Sequence, residues 1–196
     1  MDNLLKADLW AFGIVNGLAG ELPWLDALMV SVVNDYFVPA SLGLMLLAAW
    51  FSGRSVVERG QRQRLVLAAL ISVATSSLVL AWINGIYFRP RPFATGAVNL
   101  LFYQPTDSAF PSNPAMVGFG MAAAVWWTHR PLGVVAYLLA ALFSSARVYA
   151  GVTYPLDVVA GALIGFGFTY LSTKAMEKIE PLPTWVLQLV RRLRLA

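Results

Sequence analysis

Arg89, Arg91 and Arg147 stand beside prolines, hydroxyls and amides in a chain otherwise short of charge, and all fall between residues 84 and 157. The stretch holds Asn84, then Arg89-Pro90-Arg91-Pro92, then Phe110-Pro111-Ser112-Asn113-Pro114, and finally Ala146-Arg147 through Thr153 to Asp157. Guanidinium forks match the geometry of phosphate oxygens. The Phe110 to Pro114 run reads as a helix start, with Asn113 capping the free amides and Pro114 in the first turn. Such a start offers unpaired N–H groups and the positive end of the helix dipole, and Ser112 beside it completes a seat for an anion. Thr153-Tyr154-Pro155-Leu156-Asp157 repeats the device, with Pro155 opening the next helix. Asp157 falls in that helix's first turn, where an acid also simply serves the dipole. The expectation is that two helix ends and two arginines converge on one phosphate group.

Those loops need a scaffold, and composition says what kind. Soluble domains are roughly 45–50% apolar and about 25% charged. At 59% apolar and 12% charged, this chain reads as an integral membrane protein, a single all-α helical bundle over 1–196. It has no Cys, which removes disulfides and thiolate metal sites, and its single His argues against an all-protein zinc or haem site. No metal and no cofactor is expected. The net charge of +4 sits in loops and tail, as a membrane topology demands, so no nucleic acid is expected as a partner. The expected partners are membrane lipids, a lipid phosphate among them, with a homo- or hetero-oligomer in the membrane left open.

Apolar stretches at about 36–53, 65–88, 113–129, 132–150 and 155–174 predict about five transmembrane helices, and 36–174 is the core bundle. Residues 3–20 and 23–35 are apolar too, but Lys6, Asp8, Asn16, Glu21, Asp26, Asn34 and Asp35 interrupt them. Leu4, Leu5, Leu9, Phe12 and Val15 fall near helical spacing, so 1–35 is read as interfacial helices. The tail, 183–196, alternates leucine with arginine and reads as a basic amphipathic helix on anionic lipid. Alternation puts the basic segments around Arg54 to Arg64, His129-Arg130 and Lys174 onward on one side, which the positive-inside rule makes cytoplasmic, together with the C-terminus. The motif loops 89–112 and 150–155 then face outward. Ionisable groups at that depth are costly enough to be functional, which applies to Arg91 and Arg147; snorkelling to lipid headgroups explains Arg89 equally well. Gly161 and Gly165 make a small-xxx-small pair, for packing within the chain or for a dimer face.

Arg-Pro-Arg-Pro-Phe, Phe-Pro-Ser-Asn-x-Ala and Ala-Arg-Val-Tyr-Ala-Gly-Val-x-Tyr-Pro-Leu-Asp-Val-Val-Ala-Gly resemble, in order, the three signature motifs of the type 2 phosphatidic acid phosphatase superfamily. The resemblance covers roughly 22–175 and is nearest the undecaprenyl-diphosphate phosphatase branch of bacterial membrane enzymes. It implies the lipid phosphatase and haloperoxidase fold, a bacterial cytoplasmic membrane location, and a pocket on the extracytoplasmic side. Family members use a histidine of the third motif as nucleophile, an Asp to orient it, and a histidine of the second motif as acid. A Lys, two Arg and a Ser hold the oxygens. By position, Arg91, Ser112 and Arg147 match the phosphate holders, with Asn113 beside them, and Asp157 matches the orienting acid. The chemistry departs from the pattern: Asn84 stands for the Lys, Pro114 for the acid histidine, Ala146 for the Ser before Arg147, and Thr153 for the nucleophile.

A threonine without an adjacent base is a poor nucleophile, and proline has no proton to give. The resemblance with these departures implies a protein that binds a lipid phosphate or diphosphate without hydrolysing it, in transport, sensing or regulation. Two alternatives stay open. One is an accessory subunit of a membrane complex, with the fold kept as scaffold. The other is an active phosphatase with an altered mechanism, such as a water activated by Asp157.

Overall fold

The computed structural model describes residues 2–181 and 184–185. The expected amphipathic tail lies outside the described residues apart from 184 and 185. Among those described, the chain forms helices α1 (Asp2–Asn16), α2 (Pro23–Val33), α3 (Phe37–Phe51), α4 (Val56–Ile86), the short α5 (Pro92–Thr95), α6 (Asn113–Thr128), α7 (Arg130–Tyr149) and α8 (Pro155–Lys178), and no strand.

The bundle closes around α6, which packs on α3, α4, α7 and α8. Its buried residues are nearly all small: Ala115, Gly118, Gly120, Ala122, Ala123 and Ala124. Small residues let helix backbones approach where no solvent drives them together. At Gly165 a Cβ atom would lie 1.9 Å from the Met116 carbonyl oxygen, and at Gly161 2.3 Å from that of Ser112. The small-residue pair is therefore used inside the chain, between α8 and α6, and not as a dimer face. A buried polar knot secures the same contact. Ser72 Oγ of α4 lies 2.8 Å from Thr169 Oγ1, which in turn reaches the carbonyls of Gly120 at 3.1 Å and Gly165 at 3.0 Å.

Large apolar side chains point the other way. Leu78 and Trp82 of α4, Leu138 of α7, and Leu163 and Leu171 of α8 are exposed on the outer surface, as a lipid-facing belt requires. Helices α4, α7 and α8 are each long and apolar enough to cross a membrane. The expected crossing over 36–53 is met differently. Helix α3 has 15 residues and passes only together with α2, the two being bent by 52° at their junction. By length and hydropathy the bent pair of α2 and α3 suits one broken span or a re-entrant loop, and Asp35 falls in the break. The expected crossing over 113–129 is α6, whose 16 residues span about 24 Å, short of a hydrocarbon core of about 30 Å. Enclosed by four neighbours, it has no need to match the lipid.

Helix α1 lies across the end of the bundle where the motif loops emerge. Asn16 donates from Nδ2 to the carbonyls of Asn99 and Tyr149, each at 2.8 Å, and Phe12 meets the Tyr154 ring edge-on at 5.4 Å. Gly151 closes this corner with φ +80°. A side chain there would be strained and would crowd Asn99 O at 3.1 Å. Both motif loops, 89–112 and 150–155, lie at this one end, as alternation predicted.

Candidate anion site

Arg91 leaves the Arg-Pro-Arg-Pro turn almost wholly buried, at 7% exposure. Its Nη1 donates to Val152 O at 2.7 Å, its Nε to Asp107 O at 3.0 Å, and its Nη2 to Asp107 Oδ1 at 2.8 Å. One guanidinium thereby ties the first motif loop to the third. Arg147 sits in the last turn of α7, where a cation suits the C-terminal end of the dipole. It is 4% exposed and lies near the rings of Phe102 and Phe143, at 5.4 and 5.7 Å from their centres. Its Nη1 donates to Asp35 Oδ1 at 2.7 Å, and the other oxygen of Asp35 accepts from the Tyr103 hydroxyl at 2.7 Å.

Arg91 and Arg147 line the same cavity, of about 330 Å³, together with Asn113, Pro114, Asp35, Asp107 and Tyr103. The start of α6 faces this cavity. Ser112, not Asn113, is the residue before the helix, and Asn113 and Pro114 occupy its first two positions. Ser112 is buried against α8: its amide donates to Asp157 O at 3.0 Å, and a Cβ atom at Gly161 would lie 2.3 Å from its carbonyl oxygen. Two guanidinium groups, each paired with an aspartate, and one helix N-terminus thus border the cavity.

The second helix start does not join them. The N-terminus of α8 is already satisfied from within: Asp8 of α1 accepts from Leu156 N at 2.8 Å, and Asp157 accepts from Tyr154 N at 3.3 Å. Both acids also hold Arg89. Its Nη2 reaches Asp8 Oδ2 at 2.6 Å, its Nη1 forms a short bond to Asp157 Oδ1, and the guanidinium lies 4.2 Å from the centre of the Tyr154 ring. Burial works against the Arg89 charge, but the paired carboxylates of Asp8 and Asp157 overcome it and raise its pKa. Arg89 is thus an internal structural cation, not a headgroup snorkel. The expected convergence of two helix ends and two arginines becomes two separate clusters: Arg91, Arg147 and α6 at the cavity, and Arg89, Asp8 and Asp157 at the start of α8.

Thr153 is 1% exposed, and its Oγ1 has no hydrogen-bond partner among the described residues. Asp157 is fully buried with its carboxylate engaged as above. Asn84 lies in the last turn of α4 with its Oδ1 likewise unpaired among the described residues, and Ala146 is buried in α7. The sole histidine, His129, caps α7 at the far end of α6 from the cavity. No group of His, Asp and Glu suited to holding a metal occurs among the described residues.

Asp35, Asp107, Tyr103 and Asp8 were not among the residues singled out from sequence, although each touches an arginine or a partner of one. Residues 65–181 match the family model described as the PAP2 superfamily. Undecaprenyl-diphosphatase BcrC of Bacillus subtilis is 26% identical over 170 residues, 87% of this chain and 84% of that protein. YbjG of Escherichia coli is 31% identical over 164 residues, 83% of this chain and 79% of that protein. The crystal structure of Aquifex aeolicus LpxE superposes with a TM-score of 0.66 at 26% identity, covering 86% of this chain and 95% of that one.

Proposed function

This chain belongs to the PAP2 superfamily, and we propose that it is a member that holds a lipid phosphate or diphosphate headgroup without hydrolysing it. Its role on this reading is transport, sensing or regulation. The observation that carries the proposal is a division within the site. Arg91 and Arg147 share one cavity with the start of α6, while the positions that would supply nucleophile and acid carry Thr153 and Pro114. Thr153 is buried with its hydroxyl unpaired among the described residues, and Asp157, which would orient a base, is bound to Arg89. An oxyanion is well served here, by buried charge-assisted hydrogen bonds. Covalent phosphoryl transfer is not, for want of an activated nucleophile.

Charge distribution along the chain supports a cavity on the extracytoplasmic face of a bacterial cytoplasmic membrane, with the C-terminus in the cytoplasm. The test is binding of dioctanoyl phosphatidate, and of a polyprenyl diphosphate, to the detergent-solubilised chain. Arg147→Ala or Arg91→Ala is expected to weaken it about tenfold or more, a charged hydrogen bond being lost in each. Binding unchanged in both variants contradicts the proposal.

A second reading, hydrolysis of a polyprenyl diphosphate, is favoured by the name of the Bacillus subtilis relative, an undecaprenyl-diphosphatase. It requires Asp157 to activate a water. That carboxylate is fully buried and already accepts from Arg89 and Tyr154 N, so the geometry supports the first reading better.

A further inference from the structure

Helix α1 has two faces that answer to different surroundings. Asp8, Phe12 and Asn16, each four residues on from the last, form the buried face, and each grips a loop or helix start of the site. On the opposite side stand Trp10 and Ile14, 70% and 51% exposed, with Lys6 beside them. A tryptophan next to a lysine suits the boundary between lipid headgroups and acyl chains, the ring in the boundary and the ammonium reaching to phosphate. Depth agrees. Asp8 Oδ1 accepts from Leu156 N at 2.8 Å, so the middle of α1 is level with the first turn of α8. The exposed apolar belt of α8 begins at Val159 and continues at Leu163. Three residues of helical rise, about 5 Å, separate the two levels, and α1 therefore lies at the margin of the lipid-facing surface. A second copy of the chain fits that face less well. The 15 residues of α1 span about 22 Å, and a stripe on one side of them offers roughly 200 Å². Stable protein interfaces bury about 800 Å² on each partner.

We propose that α1 is a clamp seated on lipid: Trp10 and Ile14 enter the headgroup boundary of the leaflet on the motif-loop side, and Asp8 on the opposite face holds Arg89 and the start of α8 closed. Membrane lipid is thereby a partner in that closure. Asp8 spans both elements, its Oδ1 accepting from the Leu156 amide and its Oδ2 from Arg89 Nη2 at 2.6 Å. With α1 lifted away, the Leu156 amide loses its acceptor and Arg89 keeps only Asp157 of its two carboxylates. Phe12 and Asn16 add grip but no charge. This seat is independent of what the cavity between Arg91 and Arg147 binds.

The chain has no cysteine, so Trp10→Cys gives one attachment point for an environment-sensitive fluorophore on the full chain in vesicles of phosphatidylethanolamine and phosphatidylglycerol. Quenching is expected to be strongest with a phospholipid carrying a nitroxide high on its acyl chain, and about threefold or more weaker with aqueous iodide. Strongest quenching by iodide, or by a nitroxide near the chain end, overturns the seat. So does a label shielded from both quenchers that becomes accessible on dilution into excess lipid, which marks a second copy as the cover. Hydrogen exchange at the Leu156 amide in the same vesicles tests the clamp. Trp10→Glu with Ile14→Glu, both at exposed positions, is expected to speed that exchange about tenfold, while the amides of α6 exchange as slowly as in the unmodified chain. Unchanged exchange at Leu156 means that lipid does not hold α1 in place and overturns the clamp. Faster exchange throughout α6 means that the outward face packs into the fold and overturns it equally.

Discussion

Arg89 and Asp157 are joined by a direct ion pair across 68 positions of sequence, with Asp157 fully buried and Arg89 also holding Asp8 of the first helix. Through these two pairs Arg89 locks α1, the Arg-Pro-Arg-Pro loop and the start of α8 together. It also engages the carboxylate that the family pattern uses to orient a base.

Removing the cation of that cluster is expected to be costly. Arg89→Ala leaves Asp8 and Asp157 buried with no counter-charge, a loss of about 3–5 kcal/mol for a broken buried pair. Thermal unfolding of the solubilised protein should show a large fall in Tm, and Arg89→Ala combined with Asp157→Asn should recover part of it. A single variant that melts with the unmodified chain means that the pair does not hold the loops.

The contact between α6 and α8 makes a second, independent stability prediction. A methyl group at 165 meets the Met116 carbonyl at 1.9 Å, whereas one at 167 meets nothing within 4 Å. Gly165→Ala is expected to destabilise by about 1–3 kcal/mol through overpacking. Gly167→Ala is expected to be neutral or to stabilise by up to about 1 kcal/mol through helix propensity. Equal melting of the two variants contradicts the packing described.

Repair of the family pattern is predicted to need four changes, not three. Thr153→His, Pro114→His and Asn84→Lys supply the two histidines and the lysine, but an imidazole at 153 finds Asp157 bound to Arg89. No phosphate release from a polyprenyl diphosphate is expected from the triple variant, and measurable release is expected once Arg89→Gln is added. Equal rates with and without that fourth change show that Arg89 is no obstacle.

Much of this was legible in the sequence. Apolar stretches bounded by charges located the long helices, prolines marked the starts of α6 and α8, and spacing brought Arg91 and Arg147 to one end of the bundle. What the sequence hid was the pairing. Asp8 and Asp35 read as interruptions in apolar segments that argue for helices lying on the membrane; that each also neutralises a buried arginine, Asp8 on Arg89 and Asp35 on Arg147, was not visible. A charge count would have pointed to them, since three arginines at one end of an apolar bundle require acids nearby. The start of α8 looked as ready for an external anion as that of α6. Local sequence could not reveal that Asp8, 148 positions away, already accepts from its Leu156 amide.

Turnover by the unmodified chain tests the central claim most directly, with phosphate release from undecaprenyl diphosphate measured beside binding of the same lipid. The account predicts saturable binding that weakens with Arg147→Ala, and release no faster than in protein-free micelles. Steady release by the unmodified chain, abolished by Asp157→Ala, would contradict it.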